Sequence, residues 1–223
     1  MKSLKQYGFA SLAAASLLFA ACADHPKADT ATVTTEQAPA ATGGVQYKVD
    51  NNASFIRFTG YGVGKNHPGK FSITSGMVMV ADNKITGGSF AINIKSMALE
   101  QKDDMIQNKL LPHLLSKDFF DADNNGTGKF EITKVEAYSP NSKDTSVVAG
   151  ANYNLSGNLT LKGATKNVTF PANIAMNGDM LKATANFNID RRDWNMTYGA
   201  DKSLGDKFIS ETVNIQVDLQ AKK

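Results

Sequence analysis

The 223-residue chain has few of the residue types on which disulfide, metal and catalytic chemistry depend. Cys22 is its one cysteine, so no internal disulfide can form and the folded part must be held together by its core alone. The three histidines, His25, His67 and His113, are widely separated, and no His-x-His pair or cysteine-rich pattern marks a metal site. The sequence therefore predicts neither a metal nor a cofactor.

Motifs of common enzymes are also missing. The chain contains no Gly-x-Ser-x-Gly elbow and no P-loop. A hydrolase would need a serine, a histidine and an aspartate brought together from unrelated loops, and this alternative stays open. The formal net charge is only +3. A protein that binds nucleic acid is expected to carry a clustered basic face, so this nearly neutral chain is not expected to have a nucleic-acid partner.

No apolar run is long enough to cross a membrane, which takes roughly 20 residues. The run at 9–19 follows two lysines and no acid, the layout of an export signal. It ends in Leu-Phe-Ala-Ala-Cys, which resembles the bacterial lipobox, where the signal is cut just before a cysteine that carries the lipid. We expect 1–21 to be a lipoprotein signal peptide and Cys22 to be lipidated. An ordinary signal that leaves Cys22 as a free thiol is the alternative.

The segment from the cysteine to residue 44 has no aromatic residue and one valine. Such a segment buries too little apolar surface to offset its ordering entropy. We therefore expect 22–44, the lipidated cysteine included, to be a flexible tether with a mean span of roughly 25 Å. The remainder, 45–223, has a suitable size for one domain with a single core.

Apolar and polar residues alternate through most of this domain, which is typical of β-strands. Strands are predicted at 55–61, 71–80, 89–94, 129–135, 147–156, 158–162, 167–176, 181–189 and 209–219. Between 162 and 167 the alternation breaks at a Gly-Ala-Thr-Lys turn. Only 97–120 reads as helical, and Pro112 should split it into two short pieces. Long antiparallel strands favour a barrel over a sandwich, because closure removes exposed edges.

The stretch GNLTLKGATKNV at 157–168 resembles the most specific motif of the YceI-like family, Gly-x-Leu-Thr-x-x-Gly-x-Thr-Lys-x-Val. Three other segments follow in the family's order: FIRFTGYGVGKNHPGKF at 55–71, LLPHLLSKDFFDA at 110–122 and IDRRDWNM at 189–196. Two segments depart from the family pattern, QKDDMIQNK at 101–109 and DNNGTG at 123–128. The resemblance covers about 45–221.

This resemblance implies an all-β fold, a lipocalin-like antiparallel barrel of about eight strands with a short helical insertion. It also implies non-enzymatic carriage of a long apolar lipid, a polyisoprenoid or a fatty acid derivative. Together with the lipobox-like sequence at Cys22, it predicts a lipid carrier anchored as a lipoprotein in the bacterial cell envelope. A structural or stress-related envelope module without a ligand is the alternative. The candidate partners are the lipid, the membrane through acylated Cys22, and a second copy of the chain in a homodimer.

The ligand is expected to contact inward-facing apolar residues of the strands and residues at the two non-strand segments. These are Phe71, Ile73, Phe90, Ile92, Phe119, Phe120, Leu159, Leu161, Val168, Phe170, Phe187, Ile189, Arg192 and Trp194. Alternation alone leaves open whether the strand residues enclose a cavity or fill a solid core. Phe119 and Phe120 should point apart, one plugging the barrel and one facing the ligand, unless both belong to the core.

The single tryptophan and the arginine pair need separate interpretation. Trp194 is either a core plug or a pocket floor. On a strand, Arg191 and Arg192 would point to opposite faces, and the inward one would need a partner. Arg192 is our candidate for holding a lipid head group, with Asp193 as the competing partner.

The segment DADNNG at 121–126 begins like a calcium-binding loop. Asp121, Asp123, Asn125 and Gly126 occupy loop positions 1, 3, 5 and 6, but position 12 is Ile132 where a bidentate glutamate belongs. The segment is therefore predicted to be an Asn/Gly turn without a metal.

Overall fold

The structure is a computed structural model that describes residues 27–140 and 145–223. Its strands are β1 Asp29–Thr30, β2 Thr32–Thr35, β3 Val45–Val49, β4 Phe55–Gly62, β5 Lys65–Ala81, β6 Lys84–Leu99, β7 Thr127–Ala137, β8 Tyr153–Leu161, β9 Ala164–Asn177, β10 Met180–Asp190 and β11 Ile209–Lys222. A π-helical turn, Ile106–Leu110, leads directly into helix α1, Leu111–Leu115, and two 3₁₀ helices span Arg191–Trp194 and Lys202–Lys207.

The strands close into an antiparallel barrel of eight wall positions. Each strand from β4 to β11 pairs with the next one along the chain, and β11 returns to pair with β4. The short β3 continues the wall position of β4, because it pairs with the same two neighbours, β5 and β11. The predicted all-β barrel with a helical insertion is confirmed.

Tight turns set the register of the hairpins. Between β8 and β9 the two-residue turn is Lys162-Gly163, with φ values of 47° and 72°. Positive φ at both positions is the type I′ geometry that matches strand twist, and glycine adopts it without steric cost. The turn was expected one residue later, at Gly-Ala-Thr-Lys. In the structure Ala164 already pairs with Leu161.

Several predicted strand boundaries change. The segments expected at 147–156 and 158–162 form one strand, β8, preceded by a loop. Strand β6 is longer than predicted and reaches Leu99, so the helical segment starts later. Pro112 stands in the first turn of α1, directly after the π-helical turn. The two helical pieces meet at Leu110 and Leu111 without a break.

The predicted tether is corrected over its described part. Strand β1 pairs in parallel with β10, and β2 pairs antiparallel with β9. Further along, the Ala40 N–H donates to the Ile132 carbonyl at 3.0 Å. The composition argument considered only apolar burial. It left out the unpaired strand edges of the barrel, which hold this segment by backbone hydrogen bonds.

The segment 29–44 is called the strap from here on. The predicted signal peptide and Cys22 lie outside the described residues. Among the helices that the structure describes, none has the length and apolarity needed to span a membrane.

Candidate functional site

The barrel encloses a cavity of about 480 Å³. Apolar side chains from all eight strand positions form its wall, because every second residue of each strand points inward. Examples are Phe58 on β4, Ile132 on β7 and Leu219 on β11, all buried. The alternative of a solid core does not hold, although an eight-stranded barrel is narrow enough for side chains to fill it.

Aromatic rings form much of the wall. Phe170 and Phe187 stack with their ring centroids 3.9 Å apart and an interplanar angle of 10°. Phe130 lies next to them, 6.0 Å from Phe170, and stacks on Phe90 at 5.2 Å. These rings present faces and edges to the cavity, a surface suited to an apolar chain with no hydrogen-bonding groups.

The helical insertion contributes to the wall from one end of the barrel. Leu110 and Leu114 line the cavity, as do both phenylalanines that follow α1. Phe120 meets the Phe71 ring edge-on at 5.5 Å, and Phe119 packs against the His113 ring at 5.2 Å. The two phenylalanines thus point to different neighbours as expected, and both reach the cavity.

Charged side chains of the lining are confined to this same end of the barrel. They are Lys65, at the start of β5, and Arg191, Asp206 and Lys207, in the segment that leads from β10 into β11. The imidazole of His67, also at the start of β5, lines the cavity here as well. Tyr61 is also here, and burial raises the pKa of its phenol, a shift that a hydrogen bond with Thr59 opposes. The cavity therefore has a polar end and an apolar body.

Arg191 is the buried cation at this end. Its Nε donates to the Ser210 carbonyl at 2.9 Å and its Nη2 to the Ile209 carbonyl at 2.8 Å, while Nη1 donates to the carbonyl of Met196. The guanidinium also lies over the Phe119 ring, 5.6 Å from its centroid. Burial lowers the pKa of Arg191 from its ordinary value, yet an arginine remains charged at neutral pH.

Arg192, the predicted head-group residue, does not line the cavity, whereas its neighbour Arg191 does. The Arg192 guanidinium pairs with the Asp190 carboxylate on the surface, with Nη2 to Oδ2 at 2.6 Å. Burial alone would raise the pKa of Asp190, but hydrogen bonds and charge from Arg192 hold it below its ordinary value. Asp193, the competing partner, does not pair with either arginine among the described ion pairs.

The two described histidines show no catalytic arrangement. His67 at the cavity end shares a hydrogen bond with the Gln101 side chain, with Nδ1 to Oε1 at 2.8 Å. His113 pairs with Asp118 at 2.8 Å, and its ring packs against Tyr198. Neither imidazole ring has a serine or threonine hydroxyl among its hydrogen-bond partners in the described part of the chain. The Ser116 hydroxyl donates to the backbone carbonyl of His113 at 2.8 Å and not to its ring.

A sequence model of the YceI-like domain matches residues 47–221. The chain belongs to the YceI-like family. No curated protein matches it in sequence. Among solved structures, BcnA of Burkholderia cenocepacia is similar, with 22% identity, a TM-score of 0.60, and coverage of 78% of this chain and 99% of that one. A polyisoprenoid-binding domain from Saccharophagus degradans, implicated in plant cell wall breakdown, has 15% identity, a TM-score of 0.58, and coverage of 79% and 97%. These likenesses show a shared fold.

Within this YceI-like barrel, most of the residues predicted to contact a ligand line the cavity. They are Phe71, Phe90, Ile92, Phe119, Phe120, Leu159, Leu161, Val168, Phe170, Phe187 and Ile189. Ile73 is 2% exposed and packs in the core outside the cavity lining. Trp194 is fully buried and donates its indole N–H to the Leu159 carbonyl at 2.9 Å, so it is a core plug and not a pocket floor.

Sequence reasoning left out a group of lining residues on β10 and β11. Ala183, Ala185, Val213, Ile215 and Val217 all line the cavity. The same alternation that selected Phe187 could have found them. Arg191 was missed for a different reason. Strand alternation was applied to it, whereas a 3₁₀ helix begins at this residue.

The calcium-like segment is a turn stabilised by its own amides. Asn124 donates to both carboxylate oxygens of Asp121 at 3.0 Å, and Asn125 donates to Oδ2 at 3.3 Å. Asp123 pairs with Lys95 at 2.9 Å, and Ile132 lies inside the barrel wall. Among the described residues no cluster of three or more histidine, cysteine or acidic side chains could hold a metal ion.

Proposed function

We propose that this protein binds and carries a long-chain lipid with a polar head, without catalysing a reaction on it. The observation that supports this is the shape and chemistry of the cavity: an apolar body of about 480 Å³ with its charged residues at one end. Burial of an apolar chain gains roughly 25 cal/mol per Å² removed from water. The fold similarity to a polyisoprenoid-binding domain is consistent with an isoprenoid or acyl chain.

In this proposal the apolar chain lies among the phenylalanines of the barrel and the head group lies near Arg191 and His67. Two N–H groups of the Arg191 guanidinium remain beyond the three that hold carbonyl groups. The carrier is a lipoprotein of the bacterial envelope, attached to a membrane through acylated Cys22. The export signal and the lipobox resemblance support this part.

Filling the cavity tests the carrier function. Ala172 is 2% exposed and lines the cavity, whereas Ala175 on the same strand is exposed. Ala172→Phe places a ring in the space that the lipid would occupy, because β9 directs that side chain inward. We expect the variant to fold and to lose most of its bound lipid. Native mass spectrometry of protein purified together with its membrane measures the lipid retained per chain.

Ala175→Phe is the matched control, since it adds the same ring on the outer face of β9 and should retain lipid like the wild type. A folded Ala172→Phe protein that carries as much lipid as the wild type would contradict the proposal. A wild-type protein that never carries lipid would contradict it as well.

A further inference from the structure

The seam between β9 and β10 lacks direct pairing between the two strands over part of its length. Strands β9 and β10 pair from the turn as far as Ala172 and Ala185. If this register continued, Phe170 would pair with Phe187. The described backbone pairings of β9 and β10 with each other stop before that point, although a hairpin normally continues along both strands.

The strap occupies this seam. Thr30 lies opposite Asn188 of β10, and Ala31 N–H donates to the Asn188 carbonyl at 3.0 Å. The strap changes partner at the next residue, where Thr32 lies opposite Thr169 and Val33 opposite Val168 of β9. The strap therefore pairs first with the edge of β10 and then with the edge of β9, in the region where these two strands no longer pair with each other.

The strap is held less firmly than the strands beside it. Only two residues in β1 and four in β2 pair with the barrel, whereas β10 pairs with β11 along its full length. Its apolar contribution is small, consisting of the buried Ala31 and the half-buried Val33 and Ala40. Short segments with few buried apolar contacts open at a lower free energy than the core strands.

Polar contacts set the strap's position at either end of the seam. The Asp29 carboxylate accepts from the Ser146 hydroxyl at 2.6 Å. At the other end Gln37 N–H donates to the side chain of Asn158, and the Asn158 amide donates back to the Gln37 carbonyl at 2.7 Å. Asn158 is buried on the outer face of β8 because the strap covers it. These bonds can exchange with water when the strap lifts.

Behind the strap, the cavity is closed by side chains alone. Phe170 and Phe187 stack across the seam, with Val168 and Ile189 beside them, and all four line the cavity. Since no backbone hydrogen bonds join β9 to β10 at this level, rotation of the two rings would connect the cavity to the outside once the strap is displaced.

We propose that the seam between β9 and β10 is the portal through which the apolar cargo passes, and that the strap is its gate. This inference rests on the proposed carrier function. The strap lies outside the family match, which begins at residue 47, so the gate is a feature of this chain's own N-terminal segment. From Cys22 to Asp29 the chain can span at most about 25 Å, so an anchored Cys22 holds the gate near the bilayer.

A reversible crosslink tests the gate. Thr32 and Thr169 lie directly opposite each other on β2 and β9, which puts their Cβ atoms about 5 Å apart, close to the separation that a disulfide bridges. The pair Thr32→Cys and Thr169→Cys is introduced into the full-length chain with Cys22→Ser, so that no other thiol competes. The probe is pyrene-labelled hexadecanoic acid donated from phosphatidylcholine vesicles. We expect transfer to the oxidised protein to be about tenfold slower than to the reduced protein.

The control crosslink joins Lys182→Cys to Gln220→Cys, an opposed pair on β10 and β11 outside the seam, and should leave transfer unchanged. A second variant, Val33→Asp, loosens the strap and should speed transfer, whereas Thr34→Asp on its exposed side should not. Equal transfer rates in the oxidised, reduced and Val33→Asp proteins, with normal binding at equilibrium, would overturn the portal and leave the carrier function standing. Absence of uptake in every protein, the wild type included, would overturn both.

Discussion

At the residue scale, Gly157 shows why the family motif begins with glycine. A Cβ at this position would stand 2.2 Å from a carbon of the Phe130 ring. That ring cannot retreat easily, because it is 4% exposed and lies between Phe90 and Phe170. The glycine therefore lets the Phe130 ring lie flat over β8 beside the cavity.

Gly157→Ala should destabilise the protein by about 1–3 kcal/mol, the usual cost of forcing an extra methyl group into a packed core. Chemical denaturation measures the change in the free energy of unfolding. Gly60→Ala is the control, since a Cβ on Gly60 would meet no atom within 4 Å. A similar loss of stability in both variants would show that close approach to Phe130 is not the cause.

The arginine pair shows where residue-level reasoning fails. Arg191 and Arg192 follow β10 directly, and strand alternation was used to choose between them. The chain leaves the strand at Asp190 and forms a 3₁₀ helix, whose first turn is capped by the Asp190 carboxylate accepting from the Arg192 N–H. The directions of the two arginine side chains then follow helical geometry, and Arg191 is the one that is buried.

At the element scale, the connection from β6 to β7 is the main interruption of the barrel. The chain leaves β6 at Leu99, forms the π-turn and α1, and returns to β7 through the turn at 121–126. Leu110 and Leu114 face the cavity from this connection, so the insertion forms part of the cavity wall as well as a cover. The turn that follows it is set by Asp121, whose φ of 46° is tolerated by aspartate.

Millimolar calcium should not raise the melting temperature of this protein. The Asp121 carboxylate is already engaged by two amide side chains, and position 12 of the loop carries an isoleucine inside the barrel wall. Differential scanning calorimetry with calcium and with a chelator makes the comparison. A rise of several degrees that Asp121→Ala abolishes would show that the turn binds the ion.

At the scale of the whole molecule, the strap links the barrel to the segment that carries Cys22. The strap crosses the outer face of the barrel, with the Thr86 hydroxyl donating to the Gly43 carbonyl at 2.6 Å near its end. A lipid attached at Cys22 would thus be connected to the barrel wall through paired strands and not through a long free coil.

Cys22→Ser should leave an exported protein that is not acylated and no longer partitions with membranes. The reason is that, in the proposed lipoprotein, the cysteine sulfur is the atom that takes the lipid, while the signal before it is unchanged. Membrane fractionation and intact-mass measurement of the two proteins check this. Unchanged partitioning of the serine variant would contradict the lipoprotein proposal.

The sequence by itself determined which residues of each hairpin strand face the inside of the barrel. Leu159, Leu161, Val168 and Phe170 face inward as the alternation predicted, because side-chain direction on a strand depends only on neighbouring positions. The barrel class and the helical insertion followed from the same local patterns and from the family motif.

Only the tertiary structure decided whether the barrel is hollow, which end is charged and where the strap lies. The size of a cavity depends on side chains that face each other from strands far apart in sequence, so local alternation reads the same for a filled core and for a pocket. The strap pairs with β9 and β10 because these strands leave unpaired edges, and such edges exist only once the barrel has formed.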